Sequence, residues 1–346
     1  MIDINRMRKI AESLYSPMVE AIHGERGTRA LRDVLEFLQA FYKRLAPETR
    51  KSRILVLKHL DDVTLDPLLD ANECPSVSHM PTFSDDQVVV QVLQNGRSLV
   101  SQTAVVDPVQ AAQESVVYTY EERIEKFYAG AEVRTVCNPG VGYASIFAVP
   151  TFDDLKLALD EYRDKHARKT SCQILAQAWK GQKRIVFRNA PESTMRNSLT
   201  QFLKDCVRGD VEVRPEQVVD QSHPVDIKVT WYMSNRLGLI EIKWLGASKK
   251  GPNKLTRYSE GRARKGAKQL ADYLDGNAVQ APQQETRGYL VIFDGRRGGV
   301  KPWTTRINHA NGFKYEHAEI VFSPKYHHTR SDFDPPTRMF MEPVCD

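Results

Sequence analysis

Apolar residues in the first forty positions recur every three or four places: Ile4, Met7, Ile10, Leu14, Met18 and Ile22, then Leu31, Val34, Leu35, Leu38 and Phe41 after Gly24 and Gly27. Residues so spaced share one helical face, and helix is predicted from residue 1 to about 62. A stretch with Pro and Asp, near 62–86, breaks the pattern. Beyond it, apolar runs at 88–93 and 98–106 flank Asn95-Gly96, a pair suited to a type I′ hairpin because both residues tolerate positive φ. A helix is expected near 108–128 and a strand pair near 132–149. Thr151-Phe152-Asp153-Asp154 resembles a capping box with Asp in place of Glu, opening a helix to about His166.

The second half begins with a short element at 170–188. Asn189-Ala190-Pro191-Glu192 suits a helix start, since an early proline gives up no intrahelical hydrogen bond. Met195, Leu199, Phe202, Leu203 and Cys206 form the apolar stripe of that helix, with Glu192 on or beside it. Strands follow near 211–214, 225–231 and 239–244, then a basic loop, a helix near 259–275, a buried strand at 288–293 and a last strand at 318–322 before a polar, Pro-rich tail. Two of these strands alternate with period 2. In Leu239–Trp244, Ile240, Ile242 and Trp244 take one face, which reads as core, while Glu241 and Lys243 share the other. In Pro224–Val229, Val225, Ile227 and Val229 point one way and Asp226 the other.

At 346 residues, with 41% hydrophobic and 9% aromatic content, the chain suits two or three packed domains and not wholesale disorder. The Lys165–Lys169 region marks the expected boundary, giving domains 1–168 and 169–346. No run approaches 18 apolar residues, so no membrane span is expected. The start lacks an apolar secretory core. Five widely spaced cysteines with no CxxC pair argue against a zinc site or a disulfide scaffold. Together these predict a cytoplasmic protein.

Charge sharpens the picture. The net +5 is unevenly spread, the first half mildly acidic and the second strongly basic. Between Arg236 and Lys268 stand ten basic residues and only Glu241 and Glu260 as acids. A polyanionic partner is therefore expected for the second half. Asp226 and the Glu241–Lys243 pair on neighbouring strands would together place a divalent cation and an ammonium beside a phosphate.

Asp226, then Glu241-Ile242-Lys243 after a fourteen-residue gap, resembles the PD-(D/E)xK nuclease signature, with Glu192 as the acid of the preceding helix. Pro224-Val225-Asp226 departs from the strict Pro-Asp dipeptide. Gln269-Leu270-Ala271-Asp272-Tyr273 is similar to the QxxxY motif of the RecB-like branch, and Gln269 and Tyr273 share a helix face. The match covers about 185–300. It implies an α/β restriction-endonuclease-like core, a mixed sheet flanked by helices, beside an N-terminal α+β domain that senses, recruits or oligomerises. It implies Mg2+, with Mn2+ able to substitute, held by Asp226, Glu241 and the Ile242 carbonyl. Lys243 would orient the nucleophile, and Glu192 would join through water or place a second metal. Gln269, Tyr273, Lys249, Lys250, Arg264 and Lys265 would contact the substrate. The expected function is phosphodiester hydrolysis, in DNA before RNA, as in a bacterial restriction or antiphage effector, with no membrane partner. The alternatives are an RNA-cleaving or DNA-repair nuclease, or a non-catalytic nucleic-acid-binding or assembly module.

Other motifs carry less. Gly140-Val141-Gly142-Tyr143 lacks the third glycine and the following helix of a dinucleotide loop. His327-His328 reads as a surface pair and Asp294-Gly295 as a turn. His223 is the one histidine next to the proposed site, and Trp231 and Trp244 read as core.

Overall fold

The computed structural model describes residues 4–81, 83, 87–136, 144–207, 210–218, 224–251 and 254–346, without the side chains of 4–7, 217 and 218. His223, Cys137 and Gly140–Tyr143 lie outside the described residues. Two compact units divide the chain, Met1–Asp153 and Asp154–Asp346. The division falls before the Lys165–Lys169 stretch because the chain is already helical there, from Phe152 to Ala167.

The first unit is a helix on a seven-stranded mixed sheet. Helix α1 (Ile4–Arg44) bends at Gly24, whose φ of 61° is open to glycine without a side-chain clash. The strands are β1 (Ile54–His59), β2 (Asn72–Cys74), β3 (Val88–Val92) and β4 (Ser98–Ser101). After the single turn α2 (Pro108–Ala111) come β5 (Ser115–Glu121), β6 (Ile124–Ala129) and β7 (Glu132–Thr135). Their order is β2-β4-β3-β1-β5-β6-β7. Asn95 and Gly96 both have positive φ between the antiparallel β3 and β4, as the hairpin expectation requires.

Of the strand pair expected near 132–149, 132–135 is a strand and 144–149 is not, and three further expectations fail in this unit. Residues 54–59 are a wholly buried central strand, not helix; an apolar run of six fits either until a partner is known. The helix expected at 108–128 is one turn followed by two strands. Along α1 the buried face is Ala11, Tyr15, Met18 and Val19, while Ile10, Leu14 and Ile22 are exposed.

The second unit opens with α3 (Phe152–Glu161, continuous with the first unit), α4 (Gln173–Ala176) and α5 (Glu192–Cys206). Strands β8 (Val211–Val218), β9 (Pro224–Trp231) and β10 (Arg236–Lys249) form an antiparallel meander. Short β11 (Leu255–Tyr258) pairs with the end of β10. Helix α6 (Glu260–Gln280) then crosses over, and β12 (Glu285–Gly295) returns parallel to β10. Strand β13 (Thr337–Phe340) completes the order β13-β12-β10-β9-β8. It lies in the tail expected to be irregular, whereas 318–322 forms no strand. The chain is thus α/β, with mixed sheets flanked by helices.

Strand β10 is buried on both faces. Leu237, Leu239 and Leu245 share the face of Glu241 and Lys243 and pack with Ala263, Ala267, Leu270 and Leu274 of α6. The charged pair therefore sits beneath a helix. Trp231 and Trp244 are core, as expected.

Candidate active site beneath helix α6

The register of β9 and β10 places the acids. Pairing ends at Ile240↔Ile227, after which the two strands separate. The next residues, Glu241 and Asp226, fall on a common face at the mouth of the split. Asp226 Oδ2 takes over the freed edge, accepting from Ile242 N at 2.8 Å. A strand residue turns its N–H and C=O to the same edge. The Ile242 carbonyl therefore faces the split as well.

Helix α5 supplies two more groups from one face, Glu192 in its first turn and Arg196 one turn on. Arg196 Nη1 donates to Asp226 Oδ1 at 3.1 Å. Lys243 donates to Glu241 Oε1, and Arg262 of α6 pairs with Glu192. The guanidinium of Arg262 also lies 4.7 Å from the Tyr258 ring centroid and 5.2 Å from that of Trp244. Each of the three carboxyls thus has a cation as partner, and Arg196 pairs with Glu216 as well.

Close approach of α6 depends on Gly266. A Cβ there would meet Lys243 Cγ at 2.5 Å and Leu290 Cδ1 at 3.2 Å. The same helix face carries Gln269 and Tyr273. Gln269 Nε2 donates to Tyr273 Oη at 2.5 Å, which donates to the Pro224 carbonyl at 3.1 Å. Buried Tyr273 thereby ties α6 to the start of β9.

Electrostatics single out Glu241, which is 1% exposed. Burial first, then the charge of Asp226, raises its pKa to about 8 despite Lys243. Burial also raises Asp226, against the pull of the Ile242 N–H. Glu192 adds repulsion to both. Glu241 Oε2 is buried without a hydrogen-bond partner. An acceptor so placed lacks a proton donor or a cation. Hard oxygen donors with an orphaned carboxylate oxygen fit Mg2+, which needs one or two carboxylates and keeps several waters. Among the described residues no three His, Cys, Asp or Glu side chains gather closely enough to hold a metal ion. Asp226, Glu241 and Glu192 therefore do not form a three-acid cluster, although Glu192 is near enough to add its charge to the other two.

The remaining expected residues spread outward. Lys249 Nζ donates to the Pro302 carbonyl at 2.8 Å, and Arg264 to that of Val321 at 3.0 Å. Lys250 and Lys265 are exposed. Sequence reasoning gave no role to Arg196, Arg262 or Gly266. The i, i+4 spacing of Glu192 and Arg196 was the available signal. Asp294 is no turn residue: it ends β12 fully buried, with Arg296 and Arg338 donating to it. Comparison with protein-family models, curated proteins and solved structures gives no match.

Proposed function

We propose that this chain is a metal-dependent nuclease of the PD-(D/E)xK type, with Asp226, Glu241, the Ile242 carbonyl and Lys243 as its centre. One observation carries the reading. The split between β9 and β10 leaves Asp226, Glu241 and the free edge of Ile242 side by side next to Lys243, with one buried Glu241 oxygen unsatisfied. Helix, antiparallel meander, crossover helix and parallel strand support a restriction-endonuclease-like core for the second unit. Asp226, Glu241 and Ile242 would hold Mg2+, which supplies Lewis-acid polarisation of a phosphate and a more acidic water.

The chain's own residues supply the rest. Lys243, released from Glu241, donates to a non-bridging phosphate oxygen, where negative charge grows as the nucleophile attacks. Its stem is clamped against Gly266, so the ammonium moves while the backbone stays. Arg196 holds Asp226 in place, and Arg262 restrains Glu192 at the rim. Gln269 and Tyr273 set the spacing of α6 from β9, and the half-buried Gln269 offers its amide to a neighbouring nucleotide.

A second reading, a binding module without catalysis, is favoured by the ion pair that each of Asp226, Glu241 and Glu192 makes with a protein cation. Incubation with linear and circular DNA and with RNA, in Mg2+, Mn2+ or EDTA, separates the two. Metal-dependent cleavage that disappears in Lys243→Ala and Asp226→Ala supports the enzyme. Undiminished cleavage in both variants removes the site. Salt-sensitive binding without cleavage supports the module.

A further inference from the structure

A second cleft, of about 440 Å3, opens where the parallel strands β10 and β12 end and α6 begins. Arg257, Arg264, Arg296 and Arg297 line it, with Glu260 the one acid among its described lining residues. Arg296 is engaged by Asp294 and Glu260, and Arg264 lies 3.7 Å from Glu260. Arg257 and Arg297 have no carboxylate partner among the described residues. Arg257 Nη2 donates to the Val300 carbonyl at 2.6 Å, and Arg297 donates to the carbonyls of Arg296, Arg184 and Met341. Arg297 is 8% exposed, and its Nε has no hydrogen-bond partner. Burial, helped by the like charge of Arg184, lowers its pKa to about 10 against the opposing charge of Asp294. Two guanidiniums in one cleft whose hydrogen bonds go only to backbone carbonyls make a site for an anion.

The rim narrows the class of anion. Trp303 is 72% exposed, whereas Trp179, Trp231 and Trp244 are buried. Its loop is fixed: Lys301 N donates to Thr304 Oγ1 at 2.9 Å, and Val300 and Pro302 carbonyls hold Arg257 and Lys249. Lys301 Nζ lies 5.7 Å from the Trp303 ring centroid, adding positive charge. An exposed ring three residues along the chain from the cleft residue Val300 can serve as a stacking platform for a base. The cleft residue Gly246 lies three positions beyond Lys243 on β10, about 10 Å along an extended strand. That is a nucleotide or two from the phosphate at Lys243.

We propose that the Arg257–Arg297 cleft takes a backbone phosphate of the nucleic acid and that Trp303 stacks the adjoining base. This subsite rests on the nuclease reading of the neighbouring site, but its test does not depend on cleavage. The full chain in EDTA is titrated with single-stranded oligothymidylate of twelve nucleotides, following tryptophan fluorescence and salt dependence. Quenching is expected, because the one exposed tryptophan is at the site. Trp303→Phe should abolish the quench, and Trp303→Ala should weaken binding about tenfold. Arg257→Gln should lower the slope of log K against log salt by about one, and Arg257→Lys should restore it. Unchanged affinity and slope in both Trp303→Ala and Arg257→Gln, or no oligonucleotide binding at all, overturns the subsite. Inorganic phosphate that competes as well as the oligonucleotide does, mole for mole, overturns its assignment to a nucleic-acid strand. Intact binding and quenching with no cleavage in Mg2+ upholds the subsite while removing the nuclease reading.

Discussion

Each unit buries a glutamate in its sheet, and the two are held in opposite ways. Glu125 on β6, 2% exposed, accepts from Tyr118 Oη at 2.6 Å, Ser145 Oγ at 2.7 Å and Ile146 N at 3.1 Å. Glu241 has Lys243 on one oxygen and nothing on the other. Burial raises both pKa values. For Glu125 three donors oppose it, whereas for Glu241 the charge of Asp226 adds to it. A buried acid with its acceptors filled organises a core. One left unfilled beside a second acid is held for something to arrive.

The largest contrast is catalytic. Asp226→Ala and Lys243→Ala should each reduce metal-dependent cleavage at least a thousandfold, roughly 4 kcal/mol of barrier, with circular dichroism unchanged. Glu125→Ala should leave the chemistry alone and destabilise the first unit by about 3 kcal/mol in urea, since it orphans buried donors. Glu241→Gln, by contrast, should stay within about 1 kcal/mol of the parent at pH 7 without metal, because the amide mimics the protonated acid. Equal losses in the two glutamate variants would erase the distinction.

Next in size is linkage to the metal. Saturating Mg2+, at a hundred times its dissociation constant, should stabilise the protein by about 2.7 kcal/mol, and Glu241→Gln should lose most of it. The folded acid keeps its proton to about pH 8, while the unfolded one releases it near 4.5. Metal-free stability from this group therefore falls as pH rises through that window. Mg2+ affinity should move the other way, rising from pH 6 to about 8 and then levelling, in thermal-shift titrations. A flat profile would contradict the orphaned-acid account.

Two smaller effects probe the frame around the site. Gly266→Ala should lower cleavage about tenfold, the ~1.4 kcal/mol of a displaced ammonium, because the new methyl overlaps Lys243 Cγ. Tyr273→Phe should cost about 1 kcal/mol in unfolding experiments through its lost bond to the Pro224 carbonyl.

Legibility differed between the units. Around the site, alternation in 224–229 and 239–244 gave the strands, and the spacing of Gln269 and Tyr273 gave a shared face of α6. In the first unit local pattern predicts helix over 108–128, where Ser115–Glu121 and Ile124–Ala129 are strands. Tyr118, Tyr120, Glu125 and Phe127 are buried there by partners in α1 and after residue 144. Those partners are distant in sequence, and local periodicity has no access to them. The same blindness hid Arg196 and Arg262, whose roles exist only once α5 and α6 close over the sheet.

Sequence by itself determined which residue types stand on the two strands, the basic character that follows them, and the crossover helix. Tertiary structure decided that β9 and β10 part after Ile227 and Ile240, that α6 comes down on Gly266, and that Glu241 ends with one oxygen unmatched. The physical reason is range. Propensity and periodicity act over a few residues, whereas the protonation of Glu241 is set by burial and by a charge fifteen residues away.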